Sequence, residues 1–236
     1  MRILPHISCS AGMDLKLDNG LTLTASVGDQ SAALFASVRE DRAEALANLG
    51  TGCFVVRYLP KGDARSDGYL QTLVYQDSAR CSHFAVEGTL NSIAAALAPY
   101  PVGECRVEDL AMDDIYCLAE PSGLGAPYFR NDLGILFSGS VDHLPQRRIA
   151  ALLLEAVIFR VARILEDFHR ESAIERVFLS GGLSGSACLQ QGIAQCVPFE
   201  VCRLSQVDSS LKGAALLAAG MAPAWGRESE KISATS

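Results

Sequence analysis

Lysine is scarce: Lys16, Lys61, Lys212 and Lys231 are the only ones in 236 residues, and none follows a glycine. The lysine P-loop GxxxxGK[ST], whose lysine reaches the β- and γ-phosphates, is therefore excluded. CxxC pairs are missing too. Cys9, Cys53, Cys81, Cys105, Cys117, Cys188, Cys196 and Cys202 lie scattered through apolar runs, and His6, His83, His143 and His169 are equally dispersed. This spacing argues against a metal site and against a disulfide framework. Free thiols used as small buried hydrophobes fit better, and they imply a reducing, cytoplasmic setting.

A long uninterrupted apolar run is also absent. The most apolar stretch, Ile149 to Leu165, is broken by Glu155, Arg160 and Arg163, so it reads as a buried helix and not a membrane span. Met1-Arg2-Ile3-Leu4-Pro5 carries no apolar core of signal-peptide length. Positive charge is in the minority: 20 Lys and Arg against 27 Asp and Glu give a net charge of −7. With a pI near 5.1, the balance argues against a nucleic-acid partner held by general attraction. What the chain does have is 49% hydrophobic residues, enough to bury a real core.

Turn residues and periodicity divide the chain into elements. Residues 1–20 read as a connector, 21–222 as the folded domain and 223–236 as a disordered polar tail. Leu21 to Ala25 alternates as a strand; Ala32, Ala33, Leu34, Phe35 and Val38 then fall at helical spacing. Strand-rich sequence surrounds Gly50-Thr51-Gly52 and continues at Leu70 to Gln76 and His83 to Val86. Gly88 to Ala98 is alanine-rich and predicts a helix. After Pro145 a long helix runs to about Arg170, followed by strand Arg176 to Ser180, a helix through Leu189 and Ile193, strand Phe199 to Leu204 and a closing helix from Ser209 to Ala219. A strand meander followed by alternating helices and strands predicts an α/β domain with a mixed sheet.

Two glycine turns stand where backbone N–H groups can approach an anion. One is Gly50-Thr51-Gly52; the other is Ser180-Gly181-Gly182-Leu183-Ser184-Gly185, where a strand passes into a helix N-terminus. Each alone reads as a tight turn with no ligand, but two at strand ends of one domain shift the reading toward nucleotide binding. Neither matches GxGxxG, so a dinucleotide fold gains no support. Asp29, where a strand breaks at Gly28 and enters a helix, has two readings: a general base projected into a cleft, or a helix N-cap, which local sequence favours. Asp132 and Asp142 read as turn residues, Glu87 as a helix cap and Glu155 as the partner of an arginine.

Taken in order, six segments resemble the C-terminal domain of the FGGY family of carbohydrate kinases, most closely its glycerol-kinase-like members. They are Val27 to Phe35, Asn48-Leu49-Gly50-Thr51-Gly52-Cys53-Phe54, Val86-Glu87-Gly88, Gly123-Leu124-Gly125-Ala126-Pro127-Tyr128, Leu179-Ser180-Gly181-Gly182 and Leu211 to Ala218. The resemblance implies an actin-like, ribonuclease H-like ATPase fold, normally built from two such domains with ATP and sugar between them. It implies that Asp29 is the catalytic base and Gln30 a substrate contact. It further implies that Gly50, Thr51 and Gly52 face the ATP phosphates, and that Gly181, Gly182 and Ser186 form the adenosine side. ATP and Mg²⁺ are the implied cofactors, and a sugar or polyol the implied substrate. The resemblance does not extend to an N-terminal domain, and no DxGT-type hairpin occurs. Two readings follow: a kinase half working with a separate N-terminal half or within a homo-oligomer, or a catalytically incomplete or regulatory nucleotide-binding module.

Overall fold

The computed structural model describes residues 7–41, 43–59, 67–205, 208–221 and 229–233. Strand β1 (Ala11–Lys16) pairs antiparallel with β2 (Thr22–Ala25), and α1 (Asp29–Ser37) follows. Then come β3 (Glu44–Leu49), β4 (Cys53–Tyr58), β5 (Leu70–Gln76), β6 (Ser82–Leu90) and the short α2 (Ile93–Leu97). Irregular chain with two 3₁₀ turns and the small pair β7 (Cys117–Leu118) and β8 (Leu136–Phe137) leads to α3 (Gln146–Glu171). The chain continues through β9 (Arg176–Ser180), α4 (Ala187–Cys196), β10 (Glu200–Leu204), α5 (Ser209–Ala218) and β11 (Ser229–Ile232).

Seven strands form one sheet in the order β11-β10-β9-β3-β4-β6-β5. Strands β3, β9 and β10 run parallel, while β4, β6, β5 and β11 each pair antiparallel with a neighbour. The sheet is therefore mixed, as the element order predicts. Side-chain alternation splits the core in two. Ala45, Ala47, Leu49, Val177 and Leu179 point to one face, against Leu153, Val157, Val161 and Leu165 of α3 and Leu189 and Ile193 of α4. Leu46, Val56, Phe178 and Cys202 point to the other, against Ala33 and Leu34 of α1. Helix α3 is buried along most of its length because the sheet lies on one side and α4 and the segment before β8 cover the rest.

Three sequence expectations change. Residues 1–20 are more than a connector, since Ala11 to Lys16 form β1, with Ala11 buried against Phe35 and Leu217. The helix predicted over Gly88 to Ala98 shrinks to Ile93–Leu97, because Val55↔Gly88 and Cys53↔Leu90 pairing carries β6 on to Leu90. Ladder hydrogen bonds override alanine propensity there. In the tail, Ser229–Ile232 form an edge strand on β10, while 223–228 and 234–236 fall outside the described residues.

All eight cysteines are free thiols. Burial pushes the Cys117 thiol up to about 12 and raises that of Cys53 further, so both stay protonated and inert. Among the described residues, no helix is long and apolar enough to cross a membrane.

Candidate active site

The topology brings the glycine turns to one end of the sheet. Strands β3 and β9 are parallel neighbours that finish together, Asn48 opposite Ser180. Gly50-Thr51-Gly52 continues β3, and Gly181-Gly182 continues β9. The contact is close: a Cβ on Gly181 would stand 2.4 Å from the Leu49 carbonyl oxygen, and Gly181 has φ +87°. Only glycine fits that backbone at that distance. Gly182 differs, because nothing lies within 4 Å of where its Cβ would be.

Helix α1 runs back along the sheet. Its end is fixed near the start of β3, where the Arg39 N–H donates to Glu44 Oε2 at 3.0 Å. Its first residue, Asp29, is therefore directed to the end where β3 finishes. Helix α5 follows β10 and packs beside α1, with Gly213 so close to Ala32 that a Cβ would meet its carbonyl oxygen at 1.8 Å. The N-termini of α1, α4 and α5 thus share the sheet end that carries both glycine turns. N–H groups at helix N-termini and beyond the carboxyl ends of parallel strands are the usual setting for anionic ligands.

Asp29 is exposed, and Gly28, not Asp29, occupies the N-cap position. The N-cap reading is thereby replaced: Asp29 stands in the first helical turn, where its Oδ1 accepts the Gln30 N–H at 2.8 Å. Gln30 is half-buried beside it. Thr51 is exposed at the tip of the β3–β4 turn, and its carbonyl accepts the Ala94 N–H at 3.0 Å, tying the turn to α2. Ser186 caps α4, its Oγ accepting the Leu189 N–H at 3.4 Å. A hydroxyl used this way still has its own proton to donate. Ser184 Oγ donates to the Gly181 carbonyl at 2.7 Å, and the Gln190 side chain donates to the Ser184 carbonyl at 2.7 Å. These bonds fix the turn after β9 independently of any ligand.

The other carboxylates have structural surroundings. Asp132 pairs with Arg130 at the surface, and that hydrogen bond and charge hold its carboxyl down at about 2. Asp142 accepts from Ser140. Among the described residues Glu155 forms no direct ion pair with an arginine: Oε1 accepts the Ala111 N–H at 2.7 Å, and burial raises its pKa, opposed by that bond and by the Arg148 charge. Glu87 lies within β6 and caps no helix; burial raises its pKa as well.

Sequence reasoning misses one buried pair altogether. Arg160 of α3 donates from Nε to Glu120 Oε1 at 2.8 Å, immediately before the Gly123-Leu124-Gly125-Ala126-Pro127-Tyr128 segment. The available signal was a charge at Arg160 inside an apolar helix; nothing local named its partner, 40 residues earlier.

The architecture is that of the actin-like ATPase fold as found in sugar kinases. A glycerol kinase from Plasmodium falciparum solved with ADP superposes with a TM-score of 0.72 at 20% identity, over 89% of this chain and 45% of that one. A xylulose kinase from Rhodospirillum rubrum gives 0.64 at 20% identity, over 90% of this chain and 46% of its own. Residues 45–222 match the C-terminal domain of the FGGY family of carbohydrate kinases. The chain belongs to that family. Curated relatives include a glycerol kinase from Saccharolobus islandicus, 27% identical over 92% of this chain and 46% of its own length. Glycerol kinase 2 of Streptomyces coelicolor is 28% identical over 94% of this chain and 48% of its own. The chain spans about half the length of these relatives.

Proposed function

We propose that this chain is the nucleotide-side half of an ATP-dependent carbohydrate or polyol kinase, working in the cytoplasm with an N-terminal half or a second copy that completes the cleft. The observation that carries this reading is the convergence of two glycine turns and the Asp29 carboxylate on one sheet end. The residues present fit a nucleoside triphosphate: Thr51 offers an exposed hydroxyl on the phosphate side, and on the adenosine side nothing lies within 4 Å of where a Cβ on Gly182 would stand. Gly50, Thr51 and Gly52 would hold the phosphates, and Gly181, Gly182 and Ser186 the adenosine side. Bound ATP with Mg²⁺ supplies the transferable phosphoryl group and neutralises charge on its oxygens.

The chain's own residues do the rest. The Gln30 N–H fixes one oxygen of Asp29, which leaves the other to accept the proton of a sugar or polyol hydroxyl as that oxygen attacks. Gln30 lies next to it and can hydrogen-bond a second hydroxyl. The turn after β9 is braced by Ser184 and Gln190, so its donors need no reorganisation on binding.

Co-expression with a family N-terminal half, followed by an ATP-dependent phosphorylation assay on a polyol panel, tests the reading. Activity in the complex that disappears in Asp29→Asn is expected. A complex that forms and keeps full activity with Asn at position 29 removes Asp29 from the mechanism. A regulatory nucleotide-binding module finds no specific support in the site, whose base position and both turns are intact.

A further inference from the structure

We propose that the buried Glu120–Arg160 pair is a positioning device for the Gly50-Thr51-Gly52 turn, an inference that rests on the phosphate-facing role just proposed for that turn. Glu120 is 1% exposed and Arg160 8%. Arg160 is seated on α3 and fixed three ways. Its Nε donates to Glu120 Oε1 at 2.8 Å, its Nη2 donates to the Ala126 carbonyl at 2.8 Å, and its guanidinium lies 4.9 Å over the Tyr128 ring. The other oxygen of Glu120 accepts two backbone N–H groups, those of Asn91 and Gly125, each at 2.8 Å.

Those bonds place the junction between β6 and α2. The Asn91 side chain also donates to the Gly123 carbonyl at 2.9 Å, and the Ser92 hydroxyl meets that of Ser122 at 2.7 Å. Ser92 is held at φ 55°, a left-handed conformation that serine adopts only where its surroundings impose it. Two residues further, the Ala94 N–H donates to the Thr51 carbonyl. A continuous path therefore runs from the rigid helix α3 through Arg160, Glu120 and Asn91 to Thr51.

Burial of an ion pair is by itself weak evidence for stability, since apolar replacements are often neutral. What an apolar pair cannot supply is one oxygen accepting from two backbone amides of different segments. That makes geometry at the junction, and through it the turn, the property that depends on Glu120.

Two double variants separate positioning from bulk stability. Glu120→Ala with Arg160→Met removes both charges and the acceptor. Glu120→Gln with Arg160→Gln removes the charges but keeps an acceptor oxygen. Calorimetry of the full chain with Mg-ATP and with adenosine gives the preference contributed by the phosphates, and amide exchange reads the Ala94 N–H. The first variant is expected to lose about ten-fold of the ATP-over-adenosine preference, the worth of one good hydrogen bond, and to exchange faster at Ala94. The second is expected to keep both. If the first variant does not fold, Glu120→Leu with Arg160→Met, which keeps side-chain volume but still removes the acceptor, carries the same expectation. A folded first variant with wild-type preference and wild-type exchange overturns the proposal, as does loss of preference in the second at an unchanged melting temperature. A wild-type chain that does not prefer ATP overturns the phosphate-facing role instead, and the clamp is then decided by Ala94 exchange alone.

Discussion

Replacing Gly181 by alanine tests whether the β9 turn is built on the backbone of β3. Two terms add. Gly181 has φ 87° and ψ 169°, a region essentially closed to residues with a side chain, and holding alanine there costs ~1–3 kcal/mol. The new methyl would also stand 2.4 Å from the Leu49 carbonyl oxygen and 2.5 Å from Asn48 Oδ1. The amide side chain can turn away, but Leu49 cannot retreat, because it is paired with Cys53 and its strand lies in the sheet between β9 and β4. Overpacking against fixed atoms adds ~1–3 kcal/mol, for a total of about 4 kcal/mol. At ~2–4 °C per kcal/mol for a chain of this size, the melting temperature should fall by about 8–16 °C. Thermal and urea denaturation followed by circular dichroism measure it, with Gly182→Ala as the control. Nothing lies within 4 Å of that position, so Gly182→Ala should change stability by no more than ~0.5 kcal/mol. A Gly181→Ala chain that melts within about 3 °C of wild type refutes the argument that this glycine is fixed by packing.

The remaining predictions use the same preparation. Asp29→Asn should leave stability within ~0.5 kcal/mol, since the residue is exposed and its bond to the Gln30 N–H survives in the amide, while slowing phosphoryl transfer in a reconstituted kinase by ~10²–10⁴-fold; equal rates would exclude a base role. Gly213→Ala, facing the Ala32 carbonyl at 1.8 Å, should push α5 off α1 at a cost of ~3 kcal/mol, read in the same melts. Ser186→Ala removes the cap of α4 and should cost ~1 kcal/mol, so a larger fall in ATP affinity than in stability would point to direct contact. Burial raises the folded-state pKa of Glu87 above its usual 4.5, so the folded chain keeps this proton where the unfolded chain has released it. The carboxyl therefore favours folding most below the unfolded value and progressively less as pH rises through the folded one. Glu87→Gln should stabilise the chain at neutral pH, with the gain vanishing in acid; a gain that does not depend on pH contradicts the assignment.

Local pattern carried most of the elements and the two glycine turns into view. Strand and helix periodicity locates β3 to β6, α3, β9, α4, β10 and α5 because each buries a regular stripe or face. It fails where the deciding contact is remote. The β6 ladder takes Gly88 to Leu90 from an alanine-rich segment, and β11 exists only because β10 offers it an edge. The same limit hides the Glu120–Arg160 pair, formed between a loop and a helix 40 residues apart. Asp29 shows a subtler case, in which capping propensity named the right helix end but the wrong position, because Gly28 already supplies the extended backbone of the cap.

The two neighbouring glycines of the β9 turn bear differently on function. Gly181 is required by the fold, whatever binds, because the Leu49 carbonyl occupies the space of a side chain. A chain that had lost nucleotide binding would still keep it. Gly182 faces open space, so packing gives no reason for glycine there, and an approaching ligand does. Motif likeness at the pair therefore joins one residue that reports on the fold to one that reports on the ligand. If Gly182→Ala weakens Mg-ATP binding by about ten-fold while leaving the melting temperature unchanged, the open glycine is there for the nucleotide. Unchanged affinity in that variant would reduce the whole motif to architecture and leave Asp29 and Thr51 to carry the kinase reading.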